Sequence, residues 1–435
     1  MSKPLPITSV SALEVFDSRG VSTIEVEVVA GDGFGRSAAP FGAPGSRGEF
    51  EASAYGSLGV AAAVTVVHDE IEPGLLGLDA SDLTGCDALL RELDGTASFD
   101  RIGGNTSSAV STAIALAAAD ALRAPLYAVV AESSDSPVTL PVPLGNIIGG
   151  GAHAMGPTPD MQEHLVIPVN ATSVREAVTL NIRVHNETGR LLAARDARFT
   201  GGSDDERAWA ADLDDIQALE VIQEAVANIG ADGGAKFRMG LDMAADRMWN
   251  ATTGRYVYQR AGLDLTPAEQ VDFVESLVHR FDLGYVEDAF ESTDYESFAE
   301  LRRRVGDGCL VCGDDLLATS VERTANGVRT GSVNAMIIKV NQVGTVTGAR
   351  ETNKFARAHG IATAISHRSG ETADSGIAHM GAAWGCSLIK AGVTGGERLA
   401  KLNELIRIED AGDGAVGLAP LPAPLASGTE ERTRP

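Results

Sequence analysis

Three acidic residues, Asp242, Glu287 and Asp314, each follow a short apolar run, and Lys339, His367 and Lys390 continue the same rhythm. From Glu287 onward the intervals are 27, 25, 28 and 23 residues, close to one strand–helix unit. Such a series is expected where the ends of successive barrel strands meet at one rim. The carboxylates are hard oxygen donors suited to Mg²⁺. With two lysines beside them, they predict metal-assisted proton abstraction. Side chains alternate along a strand, so Asp288 and Asp315 are expected to face a different environment and to orient ligands or lysines.

Lys339 ends MIIK and Lys390 ends SLIK. Burial and a neighbouring positive charge lower an ammonium pKa, which would leave Lys339 as a neutral base and Lys390 as the cation that maintains the depression. A plain salt bridge to the carboxylates is the competing reading. The loop His367-Arg368-Ser369-Gly370 offers a guanidinium, a hydroxyl and close backbone approach, a combination that suits an anion. His153 in GGGAHA and Glu163 in MQE form a further polar pair.

These groups need elements to position them. FRMGLDMAA, GYVEDAF, CLVCGDDL, VNAMIIKV, GIATAISHRSGE and CSLIKAG read as strands, with helices predicted over 267–281, 295–305 and 346–359. The alternation predicts right-handed β/α units. Upstream, TIEVEVV over 23–29 alternates like a strand of an antiparallel sheet, and the Ala-rich run 106–122 reads as a buried helix. The expected division is an N-terminal α+β domain over 1–136, a barrel over 137–420 and a frayed tail over 421–435. The Gly/Pro/Ser-rich stretch 40–53 is placed to cover a neighbouring site.

The chain has 435 residues, 44% of them hydrophobic, enough for two cores. Its 35 basic and 60 acidic residues give a net charge of -25, which argues against a general nucleic-acid surface. No apolar stretch is long enough to span a membrane and no leader pattern opens the chain, so a cytoplasmic location is expected. Four cysteines form no disulfide framework, and Cys309 and Cys312 in GCLVCGDDL read as strand packing.

Several motifs together resemble the enolase family: DSRG at 17–20, LPVPLGNIIGGGAHA at 140–154, GDDL, IKVNQVGT, SHRSGET and ERLAKLNELIRIE at 397–409. The resemblance covers nearly the whole length. It implies an eight-stranded β/α barrel capped by a small N-terminal domain, and Mg²⁺-dependent removal of water from 2-phosphoglycerate. It further implies Asp242, Glu287 and Asp314 as metal ligands, Lys339 as base, Lys390 as the carboxylate-binding cation and Arg368 and Ser369 as phosphate contacts. His153 and Glu163 would be polar partners, and assembly at least a homodimer.

Two departures stand out. Where the family carries Ser-Gly-Ala-Ser-Thr-Gly, this chain has a longer loop opening on Phe41, with Ser46 as a substitute metal contact and Arg47 as an added cation. Where the family has Gly-Asp-Glu-Gly-Gly and its catalytic acid, an ungapped reading sets Asp205 opposite the glutamate, with Glu206 available after a one-residue slip. Together they favour a specialised relative, a carboxyphosphonoenolpyruvate synthase of phosphinate antibiotic biosynthesis acting on a carboxyphosphinyl glycerate. An ordinary phosphopyruvate hydratase and a non-catalytic binding protein are the alternatives.

Overall fold

The computed structural model describes residues 4–42, 50–56, 59–131, 137–231 and 233–426. The N-terminal unit is an antiparallel meander of β1 (Ile7–Phe16), β2 (Ser22–Ala30) and β3 (Gly33–Ala38). Alternation in β2 turns Ile24, Val26, Val28 and Ala30 into the core. The helix Gly104–Leu122 lies directly on the sheet. A Cβ on Gly35 would stand 2.1 Å from the carbonyl of Ala113, and one on Gly33 would stand 2.3 Å from that of Ala117. Only glycine permits this approach.

Eight strands close the barrel. In chain order they begin with β4 (Val142–Gly149), β5 (Glu163–Pro168) and β6 (Phe237–Asp242). A small outer sheet follows, β7 (Trp249–Asn250), β8 (Arg255–Tyr258) and β9 (Leu263–Leu265). The barrel resumes with β10 (Leu283–Glu287), β11 (Leu310–Gly313), β12 (Ala335–Ile338), β13 (Ala362–Ser366) and β14 (Leu388–Lys390). The ring runs β10-β11-β12-β13-β14-β4-β5-β6. Helices occur at Pro267–Phe281, Tyr295–Val305 and Val346–Ala358, as the sequence pattern predicts. The first has a clear start: Pro267 follows Thr266, which exchanges capping-box bonds with Glu269.

The chain departs from a uniform β/α alternation at one strand. β5 runs antiparallel to both β4 and β6, and two helices, Val174–Arg195 and Asp215–Ala231, separate it from β6. A reversed strand presents its first residue at the rim where its neighbours present their last. Glu163 therefore stands in register with Asp242.

Inside the barrel, Leu144, Leu165, Ile167, Tyr285, Leu310, Cys312, Ile337 and Leu388 form a separate core. The same inward parity leads from Tyr285 to Glu287, from Cys312 to Asp314, from Ile337 to Lys339 and from Leu388 to Lys390. All four cysteines are buried and free. The floor of this core corrects one expectation: residues 421–426, assigned above to a frayed tail, include a short helix, Ala423–Ala426, whose Leu425 is fully buried. An apolar side chain with the barrel interior to cover gains more by docking than by remaining in water. The rest of that segment lies outside the described residues, as do Ser46, Arg47 and the expected domain boundary at 136.

Candidate active site

The rim encloses a cavity of about 310 Å³ whose wall carries eight carboxyl groups and four Lys or Arg side chains. Lys390 reaches across it. Its Nζ lies 2.7 Å from Asp242 Oδ2 and 2.9 Å from both Glu163 Oε1 and Glu287 Oε1. Burial opposes the Lys390 charge, but these carboxylates outweigh it and hold the pKa well above the ordinary lysine value. Burial and Asp242 push the Glu287 carboxyl up to about 8, with Lys390 opposing.

Lys339 pairs with Asp314, whose other oxygen accepts the Gln342 amide at 2.9 Å. The expectation of a depressed Lys339 pKa is not met. Burial, Arg368 and Lys390 act downward, but Asp314 and Glu51 prevail and the net direction is upward. Asp288 and Asp315 still line the cavity beside Asp314, so strand alternation does not take them to a separate environment; the Asp288 carboxylate accepts the backbone N–H groups of Asp314 at 3.0 Å and Asp315 at 2.7 Å.

The acid loop turns Asp205 and Glu206 in different directions. The loop is stitched to β4 by the Trp209 N–H donating to Ile147 at 2.9 Å and the Gly149 N–H donating to Trp209 at 3.1 Å. Asp204 Oδ1 accepts the N–H groups of Glu206 at 2.9 Å and Ala208 at 2.8 Å, which folds the loop so that 204, 206 and 208 turn inward. Glu206 lines the cavity; Asp205 does not. Glu206 Oε2 lies 3.3 Å from Asn146 Nδ2 and 3.3 Å from His367 Nε2. Asp205, which the sequence sets opposite the family's catalytic glutamate, instead bonds His153 Nδ1 at 2.7 Å.

His153 bridges this side. Its Nε2 lies 3.8 Å from Glu206 and 4.0 Å from Glu163. Burial acts against its charge, while Glu206 and Asp205 raise its pKa. The two glutamates are driven apart: burial holds Glu163 well above the usual carboxylate range against Lys390, whereas for Glu206 the histidines outweigh burial and hold it well below. Glu163 Oε2 has no hydrogen-bond partner among the described residues. Neighbouring carboxyls split in this way are suited to hold and hand over one proton.

On the anion loop, Arg368 is buried and forks onto Glu51, with both guanidinium ends within 3.0 Å of Oε2. Glu51 also accepts Gln342 Nε2 at 2.9 Å. The buried His367 has its pKa pushed down to about 4 by burial. Arg19 of the DSRG turn bonds Asp17 at 3.0 Å, the carbonyls of Phe41 and Gly42 at 3.1 Å each, and Ser369 Oγ at 3.4 Å. Phe41 turns its ring onto Tyr55, with centroids 5.8 Å apart. The roles of Arg19, Glu51 and Gln342 were not read from sequence. Arg19 and Gln342 had a signal in the motifs DSRG and IKVNQVGT; Glu51 had none, because its partners come from distant segments.

Among the described residues, two groups bring His, Asp or Glu donor atoms within 4.8 Å of one another: His153, Glu163 and Glu206, and Asp288, Asp314 and Asp315. Asp242 and Glu287 stand outside both groups. The buried His/Glu/Glu group is compatible with a divalent cation. The carboxyl groups of the wall and the unpartnered Glu163 oxygen fit such an ion.

A capped barrel with one acidic, lysine-bearing rim defines a metal-assisted lyase of the β/α-barrel class. Residues 7–130 match the model for the enolase N-terminal domain, and residues 137–417 match that for the enolase C-terminal TIM barrel domain. Enolase of Methanosphaera stadtmanae is 43% identical over 93% of this chain and 97% of its own length. Those of Methanothermobacter thermautotrophicus and Halorubrum lacusprofundi are each 44% identical over 93% of this chain, covering 96% and 98% of their own. The chain belongs to the enolase family, and it is an Mg²⁺-dependent lyase of enolase type. No helix among the described residues is long and apolar enough to cross a membrane.

Proposed function

We propose that the chain removes water from 2-phosphoglycerate to give phosphoenolpyruvate. The observation that carries this reading is a candidate base and a candidate acid lining one cavity from different strands. Lys339 follows β12 and is tied to Asp314, while Glu206 is tied to Asn146 of β4, three places from β12 in the ring of eight. Abstraction and departure on opposite faces of a substrate need such a separation.

Lys339 takes the proton from C2. For this its ammonium pKa must fall, and Arg368 and Lys390 are the neighbours that push it down. Lys390 holds the substrate carboxylate, and Arg368 with Ser369 receives the phosphate. Mg²⁺, held by Asp242, Glu287 and Asp314, would supply the positive charge that makes a carbon acid beside a carboxylate acidic enough to react. Glu206 protonates the departing C3 hydroxide, with Glu163 as proton store and His153 between them.

The carboxyphosphinyl substrate has less support. One departure behind it carries less weight on this reading, which takes the full-length Glu206 as the acid; the other rests on Ser46 and Arg47. Relatives at 43–44% identity bear the name Enolase, which supports the ordinary substrate. Purified chain with Mg²⁺ is offered each compound in turn. Turnover of 2-phosphoglycerate supports the reading, exclusive turnover of the carboxyphosphinyl analogue replaces it, and turnover of neither leaves a binding protein.

A homodimer or higher homo-oligomer is part of the same proposal. Leu13, Phe16 and Val21 are 44%, 68% and 39% exposed around the β1–β2 turn, apolar area that a second copy would cover. Sedimentation of the Phe16→Asp variant checks it.

A further inference from the structure

Arg398 stands in the first turn of the helix Gly396–Ala411, and its side chain is fully buried without lining the cavity. Four acceptors surround the guanidinium. Nη1 donates to His367 Nδ1 and to the Arg368 carbonyl, both at 2.6 Å, and Nη2 donates to the carbonyls of Ser369 at 2.5 Å and Asp205 at 3.2 Å. The four N–H bonds of the two terminal nitrogens are thus matched one to one. An ammonium has three donors on one point and cannot span the same set. Two acceptors belong to the anion loop, one to the acid loop and one to the imidazole between them.

The contact at Nδ1 fixes a proton. A donor 2.6 Å from that nitrogen leaves no room for a hydrogen on it, so a single ring proton must sit on Nε2. Nε2 lies 3.3 Å from Glu206 Oε2. In the other tautomer two donors would meet at Nδ1, and a lone pair would face a carboxylate at Nε2.

We infer that Arg398 is a positioning residue: it holds His367 as the Nε2–H tautomer facing Glu206 and locks the acid loop to the anion loop, so that the proton donor and the phosphate contacts are set together. The inference rests on the reading of Glu206 as the acid.

The test uses full-length protein and Arg398→Lys, which keeps the charge and loses the fork. In ¹⁵N-histidine NMR, the resonance missing from His367→Gln identifies His367. The wild type is expected to show a bare Nδ1, and Arg398→Lys a mixture of tautomers. A protonated Nδ1 in the wild type overturns the inference, even if the variant does not fold. In a double-mutant cycle, Arg398→Lys is expected to lower kcat by at least about 10-fold alone but under about 3-fold in a Glu206→Gln background, because it acts through that residue. Equal losses in both backgrounds overturn it. Wild-type activity of Glu206→Gln alone refutes the acid reading, and the tautomer then judges Arg398 by itself.

Discussion

Replacing Glu206 by glutamine separates the two carboxyl candidates of the acid loop. Glutamine keeps the length and volume, and its amide can still meet Asn146 and His367, so the loop is expected to hold its shape. What is lost is the proton. Removal of a positioned general acid costs about 10² to 10⁴ in rate, or roughly 3–5 kcal/mol in the barrier. Asp205 lies outside the cavity, and its carboxylate meets His153 at 2.7 Å and Arg19 at 3.8 Å. Asp205→Asn removes an orienting partner, for which about a 10-fold loss is the appropriate scale.

The steps can be read separately. Lys339 is untouched in Glu206→Gln, so exchange of the C2 proton with solvent deuterium is expected to continue while elimination stalls. Proton NMR in D₂O follows the exchange, and ultraviolet absorbance follows the enol product. If Glu206→Gln eliminates within about 3-fold of the wild type while Asp205→Asn falls by 100-fold or more, the acid sits at 205 and the inward parity argued for the loop is wrong.

Lys339→Ala is expected to abolish both exchange and elimination while leaving the unfolding midpoint near that of the wild type; residual exchange would move the base elsewhere. Leu425→Ala opens a hole in the barrel floor and is expected to cost about 2–5 kcal/mol in urea unfolding, whereas a loss near zero would return residues 421–426 to a frayed tail. Asp204 is pushed up to about 7, first by burial, so the native state keeps a proton that the unfolded chain releases near pH 4. The stability carried by that proton is present at low pH and lost as pH rises from about 4 to about 7. Asp204→Asn escapes this loss, and its advantage over the wild type in urea unfolding is expected to grow by about 1.4 kcal/mol per pH unit across that window and then level off. A gap that stays constant from pH 5 to pH 8 would show that Asp204 does not titrate there.

Residues at the ends of parallel strands were legible because two independent signals coincide. An apolar run of alternating parity fixes which side chains face inward, and the β/α period fixes which end of the strand reaches the rim. Asp242, Glu287, Asp314, Lys339 and Lys390 satisfy both. Helix limits were legible for a similar reason: Pro267, Asp294 and Thr345 are start signals adjoining amphipathic runs.

Glu163 and Glu206 had no such coincidence. β5 is reversed, so its functional residue opens the strand, where sequence parity alone does not distinguish a rim from a floor. Glu206 sits in a loop, and its inward direction comes from the Asp204 side chain taking two backbone N–H groups while Gly149 makes way: a Cβ there would stand 1.7 Å from Asp204 Oδ2. Counting residues back from a helix cannot register such a fold of the chain. For the lysines, proximity alone predicts the wrong direction. Two ammonium groups at one rim do depress each other, but each is met first by carboxylates at bonding distance. At about 3 Å the attraction of a direct pair exceeds a longer repulsion at any common dielectric. A neutral Lys339 is therefore a condition that the bound substrate and cation must create, and it was never a property of the two lysines alone.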